Sequence, residues 1–364
     1  MNDINKRVLR IFGLIALLAV SSISVIAQQS PRSPFDVTNY RMDVQLSPNE
    51  NKLTATVDVD FTPLADTRSV DFELNGSLRV DSVTRENYIP PANTDTAPTP
   101  TPDTKSKAKP TPTPQILATF VQDQVGISDL GPSIRVDLGE MVTKGTPVTL
   151  RFKYSGILVT PSGGPLLTKR LAYVGANNGY LMYAARWFPF HEYAADQATS
   201  DITISIPPNF QLVGFSDQPV TQTAGKYRFI RTKSGLVGNF AYDQYTNRNM
   251  RSGEYELQFY SRPAEDAKII AEYGETLAAA LNYYDKQFGL PEGGRRLIVV
   301  QIDDDSLDFY STQGMIFMAS NFFRQPRDVT AARLQREAAY QWWGLTVGLK
   351  SFDDAWLSQG LAEY

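Results

Sequence analysis

The chain has 364 residues, of which 42% are hydrophobic, so it can bury a full core and is expected to form about two domains. Its formal net charge of −4 shows no basic excess, which excludes nucleic acid and an anionic membrane surface as electrostatically favoured partners. There is no cysteine and one histidine, so neither a disulfide framework nor a two-histidine metal site can form within one chain.

The first 27 residues have the features of a Sec-type signal peptide. Cationic residues precede an apolar run over residues 11–26, and Ala27 ends that run before a polar segment. We expect cleavage after Ala27 and export to the periplasm or the extracellular space. The alternative is a membrane anchor formed by residues 11–27, because the run is close to the shortest transmembrane span.

Residues 34–262 contain short runs in which apolar and polar residues alternate. Residues 53–61, for example, read LTATVDVDF. This period of two, with polar turns between the runs, predicts antiparallel strands with one solvated face, and therefore an all-β domain like a β-sandwich. Residues 89–115 are rich in proline and threonine with little apolar surface, which predicts a disordered insertion in that domain.

The pattern becomes helical after residue 262, where a second domain over residues 263–364 is expected. Apolar residues at spacings of three and four from residue 269 to residue 284 predict a long amphipathic helix. Strands are predicted at residues 296–302 and 314–318. A helix over residues 329–345 is predicted with Asp328 as its N-cap, and a last helix begins with Ser351 and Asp354 in a capping-box-like arrangement.

The segment 334–344, which reads LQREAAYQWWG, has the shape of a zinc-peptidase helix that lacks both histidines. In an HExxH helix, residues four apart lie on one face, so two imidazoles bind one Zn²⁺ and the glutamate activates water. Here Arg336 and Tyr340 occupy the two ligand positions, and Glu337 remains at the position of the general base.

Three other segments extend this similarity: residues 186–189 (RWFP), 201–207 (DITISIP) and 356–364 (WLSQGLAEY). Together with the helix they resemble the M1 family of zinc aminopeptidases. The resemblance implies an N-terminal antiparallel β-sandwich followed by a thermolysin-like (gluzincin) domain of mixed α/β-to-α type, incomplete at its C-terminus. It also implies a Zn²⁺ cofactor and hydrolysis of the N-terminal residues of peptides.

The resemblance places the three metal ligands of the family on Arg336, Tyr340 and Gln359, so all three are replaced. Glu337 would be a vestigial general base, and no cofactor is expected. We hypothesise that the Arg336 guanidinium lies where the metal would be and pairs with Glu337 or Glu363, because clustered carboxylates in a partly buried cleft need compensation.

The family holds the free α-amine of its substrate with a glutamate in the loop before the strand at residues 314–318. Residues 309–314 read FYSTQG and contain no glutamate. Gln313, Gly314 and Met315 are instead predicted to form an edge that binds extended peptide. The tyrosine that the family uses in the transition state would lie beyond Tyr364.

Two other features have structural interpretations. His191 lies beside Glu192, but no G-x-S-x-G motif accompanies it, so a structural histidine is expected. The run of aspartates at residues 303–305 lacks the glycine and distal glutamate of a calcium loop, so a solvated turn is expected.

Two function classes follow from the sequence. The first is an exported, non-catalytic homologue that binds peptide or serves as a protein scaffold. The second is an active zinc metallopeptidase that uses unusual ligands. A module of a larger membrane assembly is a third, weaker alternative. The site is better explained by the first class, because a zinc site built from arginine, tyrosine and glutamine is chemically poor.

Overall fold

The computed structural model describes residues 34–86, 116–123, 133–158, 169–182, 186–191, 196–304, 306–349 and 354–364. The predicted signal peptide and the predicted insertion at residues 89–115 lie outside these ranges.

Strands form most of the regular structure in these ranges. In chain order they are β1 (Phe35–Ser47), β2 (Lys52–Pro63), β3 (Thr67–Glu73), β4 (Leu78–Glu86), β5 (Ile116–Leu117), β6 (Thr119–Gln122), β7 (Ser133–Val142), β8 (Val148–Ile157), β9 (Ala172–Val174), β10 (Gly179–Leu181), β11 (Ala198–Ser205), β12 (Gln211–Gly214), β13 (Thr221–Thr223), β14 (Lys226–Gly235), β15 (Phe240–Asp243), β16 (Thr246–Ser252), β17 (Tyr255–Ser261), β18 (Arg296–Ile302), β19 (Phe309–Thr312) and β20 (Met315–Ala319). The helices are α1 (Ala267–Phe288), α2 (Asn321–Arg324), α3 (Ala331–Ala339) and α4 (Ala355–Glu363), with short 3₁₀ turns at Pro48–Glu50 and Pro326–Asp328.

The largest sheet has the strand order β13-β14-β11-β1-β2-β8-β4-β5. Tyr40, Met42 and Val44 of β1 are buried, whereas the intervening Arg41 and Asp43 are exposed, so the predicted alternation is confirmed. The expectation of purely antiparallel pairing is wrong in one place, because β1 and β11 are parallel. Parallel neighbours are possible here since a long stretch of chain separates these two strands.

Two smaller sheets accompany the large one, with orders β12-β15-β10-β9 and β3-β7-β6. Their buried residues join those of the large sheet in one hydrophobic core. His191 lies in this core: it is 3% exposed, its Nδ1 is 3.2 Å from Asp196 Oδ2, and its ring stacks on Phe35. The expected structural role of His191 is consistent with these contacts.

The five-stranded sheet β16-β17-β18-β20-β19 carries the candidate site. Five of the seven residues of strand β18 are apolar, and every residue after Arg296 is buried, because both faces of the strand are covered. Leu297 and Val299 pack with α1 and α3, whereas Ile298 and Val300 join the first core. Strands β17 and β18 pair in parallel across residue 262, so the strands on the two sides of the predicted domain boundary share one sheet.

The helices follow the predicted pattern at α1 and depart from it at α3. Asp266 caps α1, whose Ile270, Tyr273 and Leu277 are buried. The predicted helix over residues 329–345 is shorter, because Thr330 rather than Asp328 caps α3 and the helix ends at Ala339. Beyond Ala339 the chain forms tight turns that include Gly344 at a φ of 107°, which an α-helix cannot contain.

A turn at the end of β18 also differs from expectation. Asp304 is 8% exposed, accepts a hydrogen bond from the Tyr180 hydroxyl and accepts another from Ser306 N at 2.9 Å. Asp303 forms an ion pair with Arg262 at 3.2 Å. The expectation of a solvated turn is therefore wrong for Asp304, which is buried, whereas Asp303 is exposed. None of the helices in the described ranges is long and apolar enough to cross a membrane.

Candidate functional site

One side of α3 and the turn after it lies along the edge strand β19. The contacts recur every four residues, at positions 333, 337 and 341, which is the spacing of one helix face. From one end to the other they are the Arg333–Asp308 ion pair, the Glu337–Ser311 hydrogen bond, and the bonds of the Gln341 amide to Thr312 and Gly314. This side of α3 and strand β19 define the cleft that is described below.

Glu337 is the most buried carboxylate of the cleft. Its side chain is 4% exposed and its two oxygens have different partners. Ser311 Oγ donates to Oε2 at 2.6 Å, and the Arg336 Nε and Nη2 atoms donate to Oε1 at 3.3 Å each. Burial raises the pKa of the Glu337 carboxyl, although the Ser311 hydrogen bond and the charge of Arg336 oppose that shift.

Arg336 joins two carboxylates, as hypothesised from the sequence. Besides Glu337 it binds Glu363 of α4, with 2.8 Å between Arg336 Nη1 and Glu363 Oε1. The exposure of the Arg336 side chain is 29% and that of Glu363 is 61%, so the second pair lies at the surface. The predicted pairing is confirmed for both carboxylates.

Tyr340 and Gln359 are less buried than Glu337. Tyr340 is partly buried at the C-terminal end of α3, and burial together with the charge of Glu337 raises the pKa of its hydroxyl. Gln359 is exposed on α4. In the described part of the chain Gln359 makes no hydrogen bond to Arg336, Glu337 or Tyr340, so the structure brings three of the four sequence-predicted site residues into contact or electrostatic range.

The predicted peptide-binding edge at Gln313, Gly314 and Met315 is wrong in its location. Strand β20 pairs with β18 on one side and with β19 on the other, so Met315 lies inside the sheet and is completely buried. Gln313 is 1% exposed, and its amide is occupied by three partners. These partners are Arg231 Nη2 at 2.6 Å, Glu292 Oε2 at 3.1 Å and the Leu345 carbonyl at 3.0 Å.

The outer edge of the sheet is β19. Ala319 N donates to the Asp308 carbonyl at 3.1 Å, and antiparallel bonding alternates from pair to pair along the strands. The main-chain N–H and C=O groups of Phe309 and Ser311 therefore point away from β20. No main-chain group of the described ranges pairs with them, so they form an edge beside α3 of the kind to which an extended peptide can add.

The residues at the three ligand positions do not fit a zinc ion. The first position holds a guanidinium that is already bound to two carboxylates, and a protonated guanidinium has no lone pair for a metal. The other two positions offer a phenol and an exposed amide. No group of three histidine, cysteine, aspartate or glutamate side chains suited to a metal ion occurs within the described ranges.

Two contributors to the site were missed in the sequence. Ser311 carries no sequence signal for its contact with Glu337, since the two residues are 26 positions apart. Gln341 follows α3, and its hydrogen bonds to Thr312 and Gly314 depend on the turn at residues 312–314. The alternation of apolar and polar residues does not encode either contact.

Comparison with known proteins identifies the fold. No protein-family model matches the chain. The M1 zinc metallopeptidase from Deinococcus radiodurans superposes with a TM-score of 0.67 and 18% identity, over 90% of this chain and 69% of that one. A variant of that enzyme bound to a Tyr-Ser-Ala substrate gives a TM-score of 0.66 over the same shares.

Two curated proteins show similarity at the level of sequence. They are aminopeptidase 2 of Candida albicans, 25% identical over 48% of this chain, and glutamyl aminopeptidase of Sus scrofa, 24% identical over 50%. The match spans about a fifth of the length of these curated relatives, 21% in each case. The chain has an M1 aminopeptidase-like fold, as the sequence motifs indicated.

Proposed function

We propose that this protein is an exported member of the M1 peptidase group that binds extended peptides and has no zinc-dependent peptidase activity. The observation that carries the proposal is the double ion pair of Arg336 with Glu337 and Glu363. A fixed cation from the chain itself neutralises the carboxylate that would otherwise serve a metal-bound water.

The loss of zinc chemistry follows from what the remaining groups can do. Hydrolysis by the family requires a Lewis acid and a water molecule that the glutamate can deprotonate. Glu337 is bound by Ser311 on one oxygen and by Arg336 on the other. Glu337 is therefore a structural acceptor that joins β19 to α3.

The binding role is supported by the unpaired edge of β19. Phe309 and Ser311 present main-chain donors and acceptors to the cleft, and main-chain pairing gives affinity for extended peptides of varied sequence. The Deinococcus radiodurans variant with the same fold was solved with a bound tripeptide. In our proposal the cleft keeps peptide recognition while its chemistry is lost.

The location and domain organisation are part of the same proposal. We place the protein outside the cytoplasm because of the signal-like residues 1–27. We assign residues 34–262 to the β-domain and residues 263–364 to a partial thermolysin-like domain. A scaffold role, in which a folded protein replaces the peptide, uses the same surface.

The test is a pair of measurements on one purified sample of the longest expressible chain after incubation with zinc. We expect no stoichiometric zinc by mass spectrometry and no hydrolysis of aminoacyl reporter substrates. Stoichiometric zinc with turnover that Glu337→Gln abolishes would refute the proposal and favour the alternative of a peptidase with unusual ligands. A variant with Glu275→Gln, which changes an exposed glutamate of α1, is the matched control.

A further inference from the structure

The surface ion pair between Arg336 and Glu363 has the geometry of an occupied carboxylate-binding site. Arg336 Nη1 binds Glu363 Oε1 at 2.8 Å, within the range for a charge-assisted hydrogen bond. Glu363 is 61% exposed and comes from α4, a separate helix. An arginine that already holds one solvent-exposed carboxylate can hold another in its place.

The position of Arg336 relies on its second contact. Its Nε and Nη2 atoms bind the buried Glu337, whose other oxygen binds Ser311 of the edge strand. The guanidinium and the Ser311 hydroxyl therefore lie on two sides of one carboxylate. The Nη1 donor of Arg336 binds Glu363, while Glu337 links the guanidinium to strand β19 through Ser311.

Two arginines of the cleft pair with an exposed carboxylate, and Arg336 is the one that also binds the buried Glu337. Arg333, one turn earlier on α3, forms an ion pair with Asp308 and lies over the ring of Phe322 at 4.8 Å. The phenol of Tyr340 carries no charge at neutral pH, and burial raises the pKa of its hydroxyl further. Glu337 stays bound to Arg336, so a ligand that replaces Glu363 must present an acceptor to Nη1, and a carboxylate is the strongest such acceptor.

We infer that the cleft recognises a peptide through a carboxylate that binds Arg336 Nη1, and that Glu363 occupies this position in the unliganded chain. The inference rests on the proposed peptide-binding function and adds the ligand class. It also reverses the charge expected for a site that holds a free α-amine, since a guanidinium repels an ammonium group. The carboxylate can be the C-terminus of the peptide or an acidic side chain near it.

The experiment compares three fluorescein-labelled pentapeptides of alternating threonine and valine. One has a free C-terminus, one is its C-terminal amide, and one is the amide with a glutamate at the last position. Fluorescence anisotropy gives each Kd at low salt and again at high salt. We expect the free acid to bind about tenfold more tightly than the amide, and the difference to shrink at high salt. Tight binding of the third peptide would identify an acidic side chain as a second source of the carboxylate.

Two variants make the inference falsifiable. Glu363→Gln removes the internal competitor and should tighten binding of the free acid by about threefold to tenfold, with no change for the amide. Arg336→Gln should reduce the free acid to the affinity of the amide, while Arg336→Lys, which keeps the charge, should retain part of the preference. Glu275→Gln is the matched control.

The outcomes separate this inference from the proposed function. Equal binding of acid and amide, with no effect of Glu363→Gln, would refute carboxylate recognition and leave peptide binding intact. Failure of all three peptides to bind to the wild type and to Glu363→Gln would refute both.

Discussion

Ser311 Oγ donates a 2.6 Å hydrogen bond to Glu337 Oε2, and this bond joins the edge strand of the five-stranded sheet to the motif helix. The sequence resemblance assigns Glu337 to the general-base position of a zinc peptidase, but both oxygens of its carboxylate accept hydrogen bonds from the chain. A hydroxyl on one side and a guanidinium on the other satisfy a buried carboxylate without a metal. The cleft is therefore electrostatically complete as it stands.

The burial of Glu337 predicts a pH dependence of stability. The pKa of its carboxyl is raised in the folded chain above the ordinary value of 4.5. Between these two pKa values the folded state binds more protons than the unfolded state, so the free energy of unfolding falls as pH rises through this window. Below the ordinary pKa both states are protonated, and the penalty is absent.

The measurement compares urea unfolding of the wild type and Glu337→Gln at several pH values. Glutamine has no titrating proton, so the stability of the wild type relative to the variant should decrease from pH 4.5 upwards and level off above the folded pKa. A difference that is constant with pH would show that Glu337 is not the group that titrates. Glu275→Gln should show no such trend, since this glutamate is exposed.

Removal of the Arg336 guanidinium should destabilise the chain by about 2–3 kcal/mol at neutral pH. Arg336→Leu keeps much of the apolar stem but leaves Glu337, 4% exposed, without its cation. Arg79→Leu is the control, because Arg79 is 87% exposed and 4.0 Å from Asp81. That control should change the free energy of unfolding by less than about 0.5 kcal/mol.

The free energy of unfolding of Arg336→Leu at acid pH shows whether the variant is destabilised by the unpaired charge of Glu337 or by lost packing. Protonation of Glu337 removes the unpaired charge, so the destabilisation by Arg336→Leu should shrink at low pH. An equally large loss at all pH values would mean that the arginine stem, rather than its charge, stabilises the cleft.

The ion pairs at Arg336 could be predicted because one partner is adjacent in sequence and the family motif supplies the other. Arg336 and Glu337 are neighbours, and the motif placed Glu363 on the next helix. The strands were predicted equally well wherever apolar residues alternate, as in β1 and β2. Patterning of this kind reports which face of a strand is buried, and that suffices for secondary structure.

The location of the edge strand was not predictable in the same way. Met315 and its neighbours form an apolar run, which indicates burial on both faces but not which strand is outermost. The order β18-β20-β19 results from the hairpin at Gln313 and Gly314, which folds Phe309–Thr312 back onto the outside of β20. Long-range contacts such as Ser311 with Glu337 depend on that hairpin and leave no periodic signal.

The hairpin itself gives a prediction at Gly314. Its φ is +69°, and a Cβ atom there would lie 2.1 Å from Cε2 of Phe215. Movement of the Phe215 ring would disturb its contacts with the guanidinium groups of Arg231 and Arg296, which lie 5.1 and 5.7 Å from the ring centre. Gly314→Ala should therefore lower the free energy of unfolding by about 2–4 kcal/mol, from backbone strain and overpacking together.

Gly139 provides the matched control for that substitution. It also has a positive φ of +83°, but a Cβ atom there would meet nothing within 4 Å. Gly139→Ala should therefore lower stability by only about 1 kcal/mol, the contribution of backbone strain alone. Equal effects of the two substitutions in thermal unfolding would show that Phe215 can move and that the hairpin is not tightly packed.

Gln341 holds the same hairpin from the helix side. Its Oε1 accepts from Gly314 N at 2.9 Å, its Nε2 donates to the Thr312 carbonyl at 3.1 Å, and the residue is 3% exposed. Gln341→Ala leaves both buried main-chain groups without these partners and should destabilise the chain by about 2–3 kcal/mol. Gln335→Ala, at an exposed position of α3, should be nearly neutral.

Hydrogen exchange at the Gly314 amide measures the effect at the hairpin itself. The exchange rate of this amide should rise in Gln341→Ala and stay unchanged in Gln335→Ala. Protection of the Gly314 amide that persists in Gln341→Ala would mean that the hairpin keeps its shape without the helix, and that Ser311 is presented to Glu337 by the sheet alone.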